Sequence, residues 1–205
     1  TLAHMTHSIN HRGPDGGGLY LDHGVGLGHR RLSIIDLKRG DQPMTSKDGR
    51  YVIIFNGEIY NFKELRKKLG EKYSFKTDSD TEVLLHMYME YGDRCLEFIN
   101  GMFAFAIYDT KEKSLFLARD RVGIKPLYYY GGKELFVFGS EIKAILEYPK
   151  VEKVVNRKAV YEFFVRQYIS APDTIFQGIF KLEPGHFLKV NKGGIVKGKY
   201  WDLNY

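Results

Sequence analysis

The chain has 205 residues, 43% hydrophobic and 15% aromatic, which suits one folded domain with a sizeable core and excludes a disordered polymer. Its net charge of +6, from 31 Lys+Arg against 25 Asp+Glu, is scattered without a basic run, so a solvated surface is expected and not a nucleic-acid stripe. The single cysteine, Cys95, rules out an internal disulfide framework and a multi-cysteine zinc site and fits a cytoplasmic protein, while no apolar run reaches bilayer-spanning length and no secretory signal is read.

Leu2, Met5 and Ile9 recur at helical spacing, and His11-Arg12-Gly13-Pro14-Asp15-Gly16 then breaks the helix with turn chemistry. Val25 to Asp36 reads as extended. Tyr51 to Phe55 reads as a short buried strand running into Asn56-Gly57, a tight-turn signal. Asn61 with Glu64, and Ser79 with Glu82, have capping-box spacing at the heads of two helices. Phe103 to Tyr108 and Ser114 to Ala118 look like paired strands, continued by Leu127 to Tyr130 and Leu135 to Gly139. Ser140 to Tyr148 looks helical, Asn156 is placed to cap a helix reaching Tyr168, and a last hairpin is expected around Gly193-Gly194. Strands in bunches and helices in bunches predict an α+β fold with largely antiparallel sheet, not a doubly wound parallel one.

Several residue types could carry chemistry. An Asn56 side-chain amide beside the Gly57 N–H would offer two neutral donors for one developing negative charge. The alternative is a plain hairpin turn, which residue type alone favours. Arg31 suits a carboxylate. Asp80, at a helix start, serves either the helix dipole or a bound ammonium. His4, His7 and His11 are not followed by ligands at metal-motif spacing, and no GxxxxGK[ST] phosphate loop occurs.

The motifs themselves are more specific. His11-Arg-Gly-Pro-Asp-Gly16, Gly28-His-Arg-Arg-Leu-Ser-Ile-Ile-Asp36, Gln42-Pro43-Met44, Phe55-Asn-Gly-Glu-Ile-Tyr-Asn-Phe62, Ser79-Asp-Thr-Glu82, Asn100-Gly-Met-Phe-Ala-Phe-Ala106, Ala118-Arg-Asp-Arg121 and Gly139-Ser-Glu-Ile-Lys-Ala144 occur in this order. Together they resemble the glutaminase domain of glutamine-hydrolysing asparagine synthetases. The resemblance implies an N-terminal-nucleophile hydrolase fold, a four-layer αββα sandwich with antiparallel sheets, and class II glutamine amidotransferase activity. It further implies that Arg31 holds the glutamine carboxylate, that Leu32, Ser33, Ile34 and Ile35 wall the pocket, that Asn56 and Gly57 form the oxyanion hole, that Glu58 lines the site and that Asp80 takes the ammonium. By the same resemblance 1–150 is the glutaminase domain and 151–205 its C-terminal extension, leading to an ATP-dependent synthetase domain of the same polypeptide.

In that family a cysteine on an opening Cys-Gly-Ile-type strand is the nucleophile. No such strand occurs in residues 1–205, where Thr1 belongs to a helix and Cys95 to an apolar helical stretch. The expectation is that the strand lies outside this sequence and that these residues by themselves are inactive. The resemblance implies no cofactor or metal for this domain, with ATP and Mg used by the synthetase domain, glutamine as the small-molecule partner, and room for a homodimer. Neither a nucleic acid nor a membrane is an expected partner. The alternatives are a related amidotransferase with another ammonia acceptor, and a non-catalytic module that binds glutamine or a protein.

Overall fold

In the computed structural model, which describes residues 1–32, 35–36, 39–132 and 134–204, Thr1 stands at the N-cap position of helix α1 (Leu2–Ser8). A 3-10 turn at Asn10–Arg12 then leads into the antiparallel hairpin β1 (Gly16–Asp22) and β2 (Val25–Arg31). Gly28 lets α1 lie directly on β2, because a Cβ there would overlap the Thr6 hydroxyl. The two-residue β3 (Met44–Thr45) pairs with the start of the nine-residue β4 (Tyr51–Ile59). Helices α2 (Phe62–Leu69) and α3 (Asp80–Tyr91) precede the hairpin β5 (Gly101–Asp109) and β6 (Ser114–Arg119). Strands β7 (Tyr128–Gly131) and β8 (Phe136–Gly139) pair next, followed by helices α4 (Ile142–Leu146) and α5 (Arg157–Arg166). Strands β9 (Ile179–Lys181), β10 (His186–Asn191) and β11 (Gly194–Lys199) end the described chain.

Three antiparallel sheets result, in orders β1-β2, β11-β10-β6-β5-β4-β3 and β8-β7-β9. Period-two alternation along β4 and β5 divides their side chains between two cores. Ile53, Phe55, Phe105 and Ile107 join Leu65, Leu69, Val83, Leu84 and Met87 of α2 and α3 on one face. On the other face Ala104 and Ala106 meet Leu127 and, from the three-stranded sheet, Phe136 and Phe138, and Val52 and Tyr108 meet Leu27 of the β1-β2 hairpin. α1 and α4 cover that second strand layer through Met5, Ile142 and Ile145. The layers therefore run helix, sheet, sheet, helix, the αββα sandwich that the motif resemblance implies.

Local expectations fail where turn or capping chemistry is read. Asn56-Gly57 makes no turn: both residues lie inside β4, opposite Ala104 and Phe103 of β5. Burial on both faces and a nine-residue ladder outweigh the intrinsic turn preference of Asn-Gly. Asn61 does not cap α2 with its side chain. It donates instead to the Phe98 carbonyl (2.9 Å) and accepts from the Asn100 N–H (2.9 Å), tying two loops together. The second box half-forms: Ser79 accepts from Glu82 N–H, but the Glu82 carboxylate reaches past Ser79 to the Lys76 and Thr77 N–H groups. Strand β1 has no counterpart among the sequence expectations, because Gly16, Gly17 and Gly18 conceal its alternation.

The turn after β6 is organised around one carboxylate. Asp120 is fully buried. Its Oδ1 accepts from Val122 (3.2 Å) and Ile124 (2.8 Å), and its Oδ2 from Phe103 (3.2 Å) and Lys125 (2.9 Å). Beside it the Arg119 guanidinium donates to the carbonyls of Gly123, Lys125 and Leu182. Replacing Asp120 by Ala strands buried N–H groups, at about 1–3 kcal/mol for each that finds no water. We expect Asp120→Ala to lower the free energy of unfolding by about 3 kcal/mol or more, read as a reduced urea midpoint, with Asp120→Asn retaining part of the loss.

Candidate active site

The shortness of β3 leaves the edge of β4 open beyond Ile53. Backbone groups along that edge are met by side chains from three other parts of the chain. Phe55 N–H donates to Gln42 Oε1 (2.6 Å), and the Phe55 carbonyl accepts from His29 Nε2 (3.1 Å). Ile59 N–H donates to Asp80 Oδ2 (3.0 Å). Between them, by strand alternation, the Gly57 N–H points to the same edge, and it donates to no group among the described residues. Glycine is required here by space, since a Cβ would overlap the Met102 carbonyl oxygen across the ladder.

This edge faces a cavity of about 400 Å³ lined by Arg31, Leu32, Ile35, Asn56, Gly57, Glu58 and Asp80, among others. The described residues that the sequence singles out thus meet in one place; Ser33 and Ile34 lie outside the described residues. Arg31 ends β2 and is buried. Its Nη1 donates to Asp41 (3.1 Å) and its Nη2 to the carbonyls of Ile35 (3.3 Å) and Asp36 (2.6 Å). The extended run expected to reach Asp36 stops at Arg31, because Ile35 and Asp36 fold back over the guanidinium. Gly40 makes room for this, since a Cβ there would strike Arg31 Nη2.

Asp80 opens α3. Burial pushes its carboxyl above the ordinary value, hydrogen bonds from the Ile59 and Thr81 N–H groups oppose the rise, and the Glu58 charge adds to it. The Asn56 Nδ2 is buried with no hydrogen-bond partner among the described residues. The segment before β1 closes one side. Its Gly13 carbonyl accepts from Arg30 Nε (3.0 Å), and Glu141 holds both His11 (2.8 Å) and Arg12 (3.2 Å).

Two contributors escape the residue-by-residue reading. Gln42 fixes β4 to α3, its Nε2 reaching the Thr81 hydroxyl (3.3 Å) as its Oε1 takes the Phe55 N–H. His29 bridges the two sheet layers. A carbonyl can only accept, so Nε2 carries the proton and Nδ1 is an acceptor, buried and without a partner among the described residues. Only their occurrence within the quoted motifs points to them. Cys95, by contrast, sits in the core beneath α3, where burial pushes the thiol up, and it lines neither cavity. Thr1 stands at the N-cap position of α1, without a side-chain capping bond, and lies on no strand.

A second cleft of about 530 Å³ adjoins the first. It runs between β2 and β8, which share a layer but are not hydrogen-bonded to each other. α1 roofs it through Leu2 and Met5, with Ile9 just past its end, and Ile54, Asn56, Ala104 and Ala106 of the large sheet floor it.

The αββα sandwich thus places a backbone N–H and a side-chain amide in one cavity with a guanidinium and a carboxylate. A family model described as "Glutamine amidotransferase domain" matches residues 1–201, and the chain belongs to that family. Two Bacillus subtilis proteins, "Asparagine synthetase [glutamine-hydrolyzing] 3" and "1", are 44% and 41% identical over 99% and 100% of the chain. The chain spans about a third of their length, 34% and 32%. Among solved structures, glutamine phosphoribosylpyrophosphate amidotransferase from B. subtilis superposes with a TM-score of 0.60 over 86% of this chain and 35% of that one, at 23% identity, and so shares the fold.

Burial lowers the His29 pKa to about 4; the bond to Phe55 opposes this, and the Arg31 and Arg30 charges add to it. Below the ordinary imidazole value of 6.5 the unfolded chain takes up a proton that the folded chain refuses. Stability therefore falls as pH drops from about 6.5 to about 4 and changes no further on this account below that, by up to about 3 kcal/mol. His29→Gln, whose amide can still reach the Phe55 carbonyl, is expected to flatten the stability curve across that window, measured by urea titration at several pH values.

Proposed function

We propose that this domain hydrolyses the side-chain amide of glutamine to glutamate and ammonia, and that the intact polypeptide uses the ammonia to make asparagine from aspartate and ATP. The observation that carries the reading is the open edge of β4. Gly57 N–H and the Asn56 amide stand in one cavity with Arg31 and Asp80, donors for an oxyanion beside groups of both charges. In this assignment Arg31 faces the glutamine carboxylate, with Leu32 to Ile35 beside it, Asp80 faces the ammonium and Glu58 lines the space between. The amide carbonyl then lies against Asn56 and Gly57, where charge grows as the tetrahedral intermediate forms.

The attacking thiolate belongs, on this reading, to a cysteine borne by an additional strand in the cleft between β2 and β8. The cleft has an extended free edge on either side and Asn56 in its floor, so a strand pairing there passes the oxyanion donors. Thioester formation expels ammonia, and water then releases glutamate. The 151–205 segment, whose β10 extends the large sheet, leads onward to the synthetase domain, which supplies the ATP and Mg sites. The Bacillus relatives favour asparagine over other products of the same ammonia. A lone buried cysteine suits the cytoplasm.

The test is glutamate and ammonia release by the full-length polypeptide. Asn56→Ala should lower kcat by about 10²–10³-fold with KM little changed, the signature of a donor used in the transition state. An unchanged kcat sinks the oxyanion assignment. Asp80→Asn removes a charged partner of the substrate and should raise KM by about tenfold or more. An unaltered KM would remove Asp80 from the ammonium site.

A further inference from the structure

Helix α5 packs poorly against the domain that carries it. Of its residues Arg157–Arg166 only Ala159 is buried. Tyr161, Phe164, Val165 and Tyr168 are 73%, 73%, 63% and 58% exposed. Tyr161, Phe164 and Val165 follow the spacing i, i+3, i+4 and form one apolar stripe along the helix, and Tyr168 lies beyond its end, after the left-handed Gln167. A helix of ten residues is marginal in water unless packing supports it. This one is held locally, by the Asn156 cap on Ala159 N–H (3.3 Å) and by Glu162, which accepts from the Ser170 N–H and hydroxyl.

We infer that the Tyr161–Phe164–Val165 stripe of α5 is the docking surface for the second domain of the same polypeptide, which receives it in an apolar groove. The inference rests on the proposed two-domain reading. Relatives of which the chain covers about a third leave room for a tethered domain twice its size. A tether raises the effective concentration of the partner to the millimolar range, so a small interface suffices. A stripe on a helix about 15 Å long falls short of the ~800 Å² per partner that an untethered dimer buries. Exposed Arg157 and Lys158 flank the start of the helix, so the groove that fits it carries carboxylates at that rim.

The test substitutes Tyr161→Ser and Phe164→Ser together in the full-length polypeptide. Both side chains are solvent-facing, so the fold is retained, and far-ultraviolet circular dichroism verifies this. Hydrogen exchange of the α5 amides reads docking directly. We expect them to be protected in the unsubstituted protein and to exchange roughly tenfold or more faster in the variant. With glutamine as nitrogen source, asparagine formed per glutamate released is expected to fall by a similar factor while glutamine hydrolysis persists. Equal α5 exchange in the two proteins overturns the proposal, and so does a concentration-dependent dimer that the substitutions abolish, since a second copy then covers the stripe. Loss of protection without any glutaminase activity in the unsubstituted protein leaves docking established and removes only the functional reading.

Discussion

An unpaired strand edge inside a protein is costly, because each backbone group that finds neither partner nor water forfeits a hydrogen bond. β4 has such an edge. β3 covers it only at Val52 and Ile53, and the strand then continues for six more residues. The Phe55 N–H, the Phe55 carbonyl and the Ile59 N–H are met one at a time by Gln42, His29 and Asp80, which come from a loop, a strand of the other sheet layer and a helix start. The fold is therefore tied together at the line where it leaves one N–H, that of Gly57, available. Site and scaffold are the same set of hydrogen bonds. Displacing any one of the three side chains disturbs both the seam between layers and the direction in which Gly57 points.

The unused groups at this seam cost stability. Asn56 Nδ2 and His29 Nδ1 are buried without partners among the described residues, each at about 1–3 kcal/mol. Hydrophobic burial on both faces of β4 and β5 offsets that cost, and Ile53, Ile59, Phe103 and Ile107 are almost wholly removed from solvent. Such a trade suits catalysis. A donor already desolvated and held by a rigid strand loses no hydration when charge develops in front of it, so its interaction with the transition state is not diluted by reorganisation.

Most of the architecture was legible in the sequence, and the exceptions share a cause. Alternating and continuous apolar runs marked β5 and β6, and Ser79 and Asn156 marked the heads of α3 and α5, because those signals depend on neighbours a few residues away. Asn56-Gly57 misled because turn preference is local, while its place inside β4 is set by Phe103 and Ala104, more than forty positions on. β1 was hidden by its glycines, needed where Gln42 crosses Gly18 and Arg30 lies over Gly17. Arg31, Asn56, Gly57 and Asp80 were nameable as candidates from residue type and motif. That one cavity collects them is a fact of pairing register and layer stacking, which no window of sequence contains. His29 and Gln42 act through backbone atoms of Phe55, and a backbone partner leaves no signature in residue identity.

Charge arrangement then decides what the cavity admits. Asp80 is buried at the mouth of α3, and the nearby Glu58 charge opposes its ionisation as burial does. A carboxylate in that position is relieved most by a cation, so an arriving ammonium gains more there than it would from a solvated acid. Arg31 is held in place by the loop carbonyls it donates to and by the Asp41 carboxylate. His29, lying between these groups and the second cleft, stays neutral because burial and the two adjoining arginines disfavour its protonation. On the proposed assignment, an imidazolium there would compete with Arg31 for the anionic end of a ligand. In the proposed assignment Arg31 and Asp80 supply a positive and a negative pole among the charged residues that line the cavity, and a free α-amino acid carries two such poles on a single carbon.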